Sequence, residues 1–516
     1  MRKRYIWIWP TLVILIGIGL LFYENYLKVT EPPSKNWSRE IELGLTPSTN
    51  LPIIQKTTDN LKTSYLTNDG VNIRSFDNSF TIIEEEMHPI PYDKWTKYYL
   101  DEDHLLYSDY YSMYDGESNE KISDIQQFIA LDQFVLYQYD MEVYLYNPET
   151  SESTSILTLE NEKTKLHTYE NEQNTYLLTE YNGNGNTQLN FYEVSEKGTE
   201  LIGESEFTVN QSEVIEDLQF TIQNETYSVV LTTYLKKNMS GTPESFNYFA
   251  SHALDEDPEF KKIQFQDPNA DQKLAEISDI TIRVTEDQNE ILFKGLGYTE
   301  TKYRSDNQFN IYKAALKGDS ASSVTRVSNT PESSASPKWV GKDTIVWLDI
   351  MGEENQLLLS STADEAVVIS EQIAGHYLMD ALGKTLGMLS YSFLTIILGL
   401  LWFIWPMVFM LFIMFGKGSA LDRDRPWILF TGIGVYLLAA FFYKDRVFTP
   451  ELMARAPDYL SFPASPFIYI FIFALLVFWI LMGHRKSLDW SVSLKLSYFV
   501  GIHLLFITIF FGPYLL

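Results

Sequence analysis

Seven histidines, 68 acidic residues and no cysteine set the chemistry open to this 516-residue chain. Without cysteine there is no thiolate nucleophile, no thiolate zinc or iron–sulfur site, and no disulfide scaffold. The histidines are His88, His104, His167, His252, His376, His484 and His503. No two stand four apart or in an H-E-x-x-H pattern, so a histidine metal site has no support. Asp101-Glu-Asp-His104 and Asp255-Glu-Asp-Pro-Glu259 offer oxygen ligands for Ca²⁺. Neither has the loop glycine or ligand spacing of an EF-hand, so both read as solvated loop charge. A G-x-S-x-G elbow, a P-loop and a strand-borne G-x-G-x-x-G are all missing. Paired carboxylates for glycoside hydrolysis have too many candidates for any pair to stand out. The sequence therefore names no catalytic, cofactor-binding or metal residue and implies no cofactor.

Charge and hydropathy are segregated along the chain. Residues 24–385 hold 62 of the 68 acids and 27 of the 39 bases, whereas the remainder is net positive. A broad nucleic-acid surface is excluded, because such surfaces are basic. Apolar density concentrates in five stretches: Tyr5 to Tyr23, Leu386 to Phe415, Trp427 to Tyr443, Phe467 to Met482 and Leu496 to Leu516. The first follows Arg2-Lys3-Arg4 and has no small-residue cleavage site after it, which favours an uncleaved signal anchor over a signal peptide. Leu386 to Phe415 exceeds a vertical span and calls for tilt or a kink at Pro406. None of the five contains Asp, Glu, Lys or Arg, and His503 is their only ionisable residue of note, which weighs against coupled transport. Trp402, Trp405, Met407, Met410 and Met414 make a bulky face for lipid packing or for docking another membrane protein.

Positive residues orient these spans. A cytoplasmic N-terminus places Arg2-Lys3-Arg4, the loop with Lys417, Arg423 and Arg425, and the loop with Arg485, Lys486 and Lys495 on the inner side. The large acidic segment and the C-terminus are then extracytoplasmic. Within that segment, Pro32-Pro33-Ser34 and Thr46-Pro47-Ser48 suggest a stalk over 24–60. From Leu61 onward, short alternating runs rich in Tyr, Phe, Val and Ile are separated by turn residues, as in strands. Phe128 to Asn147 is the clearest, and Asn182-Gly-Asn-Gly-Asn186 marks a hairpin between two further runs. Such units recur near 62–85, 97–123, 128–159, 175–207, 218–265, 280–327 and 337–369, about 44 residues each, the length of a four-stranded propeller blade. A large β-sandwich is the competing reading. Ser370 to Lys384 carries apolar residues at helical spacing and reads as a connector helix.

One stretch carries a family resemblance. Ile311-Tyr312, Gly318, Thr325-Arg-Val-Ser-Asn-Thr-Pro331, Ser336-Pro-Lys-Trp339 and Ile345-Val-Trp347 resemble the TolB-type β-propeller repeat. In that family the aromatic of S-P-x-W packs between blades and the following apolar strand is central. Val340-Gly-Lys-Asp343 is one residue shorter than the family's turn, and the likeness spans about 45 residues of the chain. It implies a fold and no function.

These readings assemble into one architecture: a mainly β extracytoplasmic domain, a propeller of about seven blades, with an α-helical transmembrane part. The expected segments are a signal anchor (1–23), a stalk (24–60), the propeller (61–369), a connector helix (370–385) and four C-terminal spans (386–516). The expected function is a multi-pass cell-membrane protein whose acidic domain binds a protein or ligand as scaffold, sensor or accessory subunit. Its expected partners are the bilayer and another membrane or cell-surface protein, and no nucleic acid. A transport-associated subunit and a surface-polymer hydrolase are the alternatives.

Overall fold

The computed structural model describes residues 5–57, 60–171, 173–183, 185–210, 212–236, 244–285, 288–300, 305–317, 320–483 and 489–515. Arg2-Lys3-Arg4, Asn184, Gly318 and His484-Arg-Lys486, all used above, lie outside them. The chain divides into two compact units, 31–372 and a second made of 1–30 with 373–516.

The first unit is a seven-bladed β-propeller. Its 28 strands form seven four-stranded antiparallel sheets. Six sheets follow one another in the chain: blade 1 (53–88), blade 2 (97–124), blade 3 (127–158), blade 4 (165–207), blade 5 (213–262) and blade 6 (275–326). Each is a meander whose first strand is innermost, and first strands of neighbouring blades touch around the ring. All seven expected repeats fall on blades. Blade 7 departs from the expectation. It takes three strands from 333–361, and its outermost strand is Ile41–Thr46, paired to Asn355–Ser361. Ile53–Lys56 likewise opens blade 1. Residues 41–56 are thus part of the ring and not of a stalk. Pairing an N-terminal strand with the last strand of the ring joins the two ends of the propeller chain in one sheet and so closes the circle. The expected strand after Ser361 is instead the short helix α2, Asp364–Ser370.

The apolar core lies between blades. Leu136 and Leu145 of blade 3 pack with Leu166 and Leu177 of blade 4. Phe191 of blade 4 meets Phe220 and Tyr227 of blade 5. At the ring closure, Leu43, Leu357 and Leu359 of blade 7 join Leu61, Tyr65 and Phe76 of blade 1. Each blade alone has two sheet faces to cover, and only its neighbours can cover them. Trp37, from the segment ahead of the closing strand, joins Ile311, Val327 and Trp347 at the junction of blades 6 and 7. Ser38 and Arg39 hydrogen-bond Ser361 and Ser370, so the chain segments leading into and out of the ring lie side by side.

The second unit is helical. Among the described residues, four helices are long and apolar enough to cross a membrane: α1 (Tyr5–Val29), α3 (Gly375–Asp422), α7 (Ser465–Gly483) and α8 (Val492–Phe511). Between α3 and α7 run α4 (Pro426–Phe442), α5 (Pro450–Arg455) and α6 (Asp458–Ser461). The expected third span corresponds to α4, whose 17 residues reach about 26 Å, short of a ~30 Å hydrocarbon core. From Gly375 the expected connector and second span are one 48-residue helix, α3, which carries Pro406 inside it; its non-helical residue is Lys417 and not Pro406. The candidate span of α8 is the most enclosed of the four, 61% buried against 22–33% for the others. Its neighbours approach on glycine: Gly432 of α4 faces Leu496, and Gly399 of α3 faces Leu504, leaving no room for a Cβ at either. Phe412, Phe415, Phe442 and Trp479 point outward, more than half exposed, as lipid-facing residues do.

Candidate functional site

The strand order of the ring assigns every turn to one of two faces. First-to-second and third-to-fourth strand turns share one face, and second-to-third turns share the other with the links between blades. Around the axis on the former face, charged side chains from opposite blades converge. Lys338, on the innermost strand of blade 7, is reached by solvent and bears electrostatically on Asp132 of blade 3 and Glu170 of blade 4. Desolvation by the surrounding protein lowers its pKa, against the pull of both carboxylates. Glu170 is held above its ordinary value, first by burial and then by Asp132. The Asp132 amide donates to both Glu170 carboxylate oxygens at 3.3 Å, and the Thr175 hydroxyl adds a second donor at 3.3 Å. This axial cluster holds charge in place. It brings together one amine and two carboxylates from three blades.

Two further polar assemblies stitch blade 6 to blade 7. Glu290 pairs with Arg283 at 2.7 Å and with Lys313 at 2.7 Å. Burial pushes the Glu290 carboxyl up, but its bonds to Lys313 and Arg283 outweigh that and hold it below the usual range. The Arg283 guanidinium also lies over the Trp339 ring at 3.4 Å and donates to the Gly341 carbonyl at 2.8 Å. Trp339, the aromatic of the S-P-x-W stretch, therefore packs between blades. The second assembly is buried. The Asp349 carboxylate accepts from Ser334 Oγ at 2.8 Å and from Trp347 Nε1 at 2.9 Å. Ser334 continues to Ser328, whose hydroxyl accepts from the Ile311 amide at 2.8 Å. Burial raises Asp349 to about 6, with the hydrogen bonds opposing. Ser328, Thr330 and Trp347 of the family-like repeat belong to this network, which is structural.

Of the acidic runs singled out by sequence, the first caps its own turn and the second reaches across to blade 4. Asp101 accepts from the Asp103 and His104 amides at 2.8 and 2.7 Å and from the Tyr99 hydroxyl at 2.9 Å. Asp257 accepts from the Glu206 amide at 2.9 Å, and His252 Nε2 accepts from that of Glu259 at 3.1 Å. Among the described residues no group of three or more His, Asp or Glu is placed to hold a metal ion. His503 is enclosed within the helical unit, 2.9 Å from the Tyr436 hydroxyl at Nδ1 and 2.9 Å from the Ile470 carbonyl at Nε2. Trp402 is fully buried, with its indole N–H on the Tyr443 carbonyl at 3.3 Å. Trp405, Met407 and Met414 are exposed, and Met407, Met410 and Met414 line a groove of about 240 Å³ between α3 and α8.

The axial cluster was not legible in the sequence, since Asp132, Glu170 and Lys338 lie more than 200 residues apart end to end. A repeat signal was available: Tyr107 and Tyr114, Tyr137 and Tyr144, and Tyr169 and Tyr176 share a seven-residue spacing. Each pair faces across adjacent strands, with near-parallel rings 5.1, 5.1 and 6.2 Å apart.

No protein-family description matches the chain, and no curated protein is similar to it. Solved structures give remote likenesses. The dihydro-heme d1 dehydrogenase NirN is 8% identical over 61% of this chain and 64% of its own, with a TM-score of 0.33. BBS1N in complex with ARL6DN is 10% identical over 64% and 98%, TM-score 0.34. Oligopeptidase B from Trypanosoma brucei is 11% identical over 68% and 52%, TM-score 0.34. At these scores the likenesses carry no argument about activity.

Proposed function

We propose that this is an integral membrane protein whose acidic propeller stands on the extracytoplasmic side and binds a protein or ligand there, as a scaffold, sensor or accessory subunit of a membrane complex. The observation that carries the reading is the insertion of a closed ring between the first and second long apolar helices of one helical unit. A ring tied at both ends passes a tilt or rotation to the helices that a single stalk would average away. In this reading α1 is an uncleaved signal anchor, α3, α4, α7 and α8 complete five spans, and both the ring and the C-terminus lie outside. The positive loops and the acidity of the ring support that orientation.

The absence of native cysteine makes the topology directly testable. A Ser118→Cys variant is expected to react with an impermeant maleimide on intact cells, and Ser419→Cys only after permeabilisation. The reverse pattern overturns the topology. Crosslinking in cells followed by mass spectrometry tests the binding role. A stoichiometric membrane or surface partner is the expected result, and recovery of the protein alone removes the scaffold reading.

A further inference from the structure

On the face of the ring opposite the axial Lys338 cluster, blade 2 displays aromatic rings that no core uses. Trp95, in the link from blade 1, is 51% exposed; Tyr110 and Tyr111, in the turn between the second and third strands, are 56% and 70% exposed. Their rings touch in sequence, Trp95 to Tyr110 at 5.2 Å and Tyr110 to Tyr111 at 4.9 Å. Exposed aromatics normally cost solubility, and a contiguous set marks an interaction site.

The loops that carry them are pre-organised. Asp93 accepts from the Trp95 amide at 2.6 Å, and Asp109 from the Tyr111 and Ser112 amides at 2.7 Å each. The Tyr111 carbonyl in turn receives the Ile125 amide at 2.8 Å. Asp109 stays ionised: burial opposes this, but those two amides and the Tyr114 hydroxyl outweigh it. Asp124, bonded to Ser112 and Lys121, adds a further carboxylate on the same rim.

We infer that Trp95, Tyr110 and Tyr111 form a receptor for a cationic side chain, an arginine or lysine presented by a partner protein. Three observations select this occupant. The planes are inclined by 59° and 83°, so the rings do not form the flat platform on which a sugar chain stacks. The surrounding carboxylates and the strongly acidic ring favour positive charge. The protein also shows the interaction itself, because the ammonium of Lys94 lies over the Trp95 ring at 4.8 Å. Lys94 thus acts as a resident stand-in that an incoming cation displaces. Tyr139 and Met141, half exposed in the equivalent turn of blade 3, extend the same face.

This rests on the proposed binding role of the propeller, and the test separates the two. Full-length protein in lipid nanodiscs is titrated with a blocked Arg-Gly-Arg-Gly-Arg peptide, its citrulline counterpart and a neutral N-acetylglucosamine tetramer. The arginine peptide is expected to bind and the other two not. Trp95→Ala and Tyr111→Ala each weaken binding about threefold to fivefold, and the pair about tenfold. Lys94→Ala strengthens it, a gain that a merely structural role would not produce and that stands even if an alanine variant folds poorly. Failure of the wild type to bind the arginine peptide, equal binding by the double variant, or tetramer binding in its place overturns the inference. If a crosslinked partner persists in cells carrying the double variant, this site is excluded while the wider binding role stands.

Discussion

Asp349 of the seventh blade and His503 of α8 are both almost wholly out of water, 2% and 0% exposed. They are satisfied by different means. Asp349 is held by side chains of its own blade: Ser334 stands opposite it on the preceding strand, and Trp347 lies two residues before it. His503 is held by one side chain and one main-chain carbonyl of neighbouring helices. The Ile470 carbonyl can only accept, so Nε2 donates to it, while Nδ1 shares a hydrogen bond with the Tyr436 hydroxyl. The contrast follows from backbone accounting. A helix bonds its own amides and carbonyls, so a helical bundle needs few buried polar side chains. Propeller blades pack face to face, and the links between them leave polar groups for side chains to cap, as Ser328 takes the Ile311 amide of blade 6.

If the ring depends on junctions between blades, breaking one has the largest effect. Trp347→Ala empties a fully buried site at the junction of blades 6 and 7 and removes a donor to Asp349. A loss of about 3–5 kcal/mol in propeller stability is expected, read by denaturant unfolding. Next comes the ionic clamp. Glu290→Ala leaves Arg283 and Lys313 facing each other, but both are a fifth to a quarter exposed, so the cost is about 1–3 kcal/mol. Because the Glu290 carboxyl is depressed in the fold, its contribution is present above the ordinary glutamate range and lost as pH falls through the folded value. The variant should therefore differ least from wild type in acid.

On the helical side, His503→Phe keeps the shape and strands the Tyr436 hydroxyl. About 1–3 kcal/mol is expected, confined to the helical transition in a melt monitored separately for the two units. Asp349→Asn sharpens the comparison by changing only charge. Wild-type Asp349 titrates near 6 when folded, above its unfolded value of 3.8, so its ionisation opposes folding: stability is full below about pH 4, falls up to about pH 6 and is flat beyond. The asparagine keeps an oxygen for Ser334 and Trp347 and should flatten that stretch of the stability–pH curve. Smallest of all, Tyr111→Ala touches a ring 70% exposed and should move the melting midpoint by less than the clamp variant.

How much was readable in advance differs between the two units for a physical reason. Helical spans announce themselves by length, and α1, α7 and α8 lie close to the expected stretches. The expected connector, Ser370–Lys384, is not separate from α3: α2 ends at Ser370, residues 371–374 are non-helical, and from Gly375 the chain is continuous helix into the span. Seven blades were countable because each must repeat strand, turn and alternation within itself. The closing strand was not: Ile41-Glu-Leu-Gly-Leu-Thr is short, follows two prolines, and buries only Leu43 and Thr46 fully. Its place depends on Leu357 and Leu359, more than 300 residues away. The same holds for the axial cluster and the aromatic rings of blade 2, whose members look like ordinary loop residues in isolation.

By itself, then, the order of amino acids determined that one part of this protein is apolar helix and the other an acidic ring of short strands, because periodicity, length and charge are local properties. Only the tertiary structure decided how the ring is locked and which charges meet across its axis. It likewise decided which aromatic residues stay outside the core. Those depend on segments far apart in sequence arriving at the same place, and no local pattern records where a chain will meet itself.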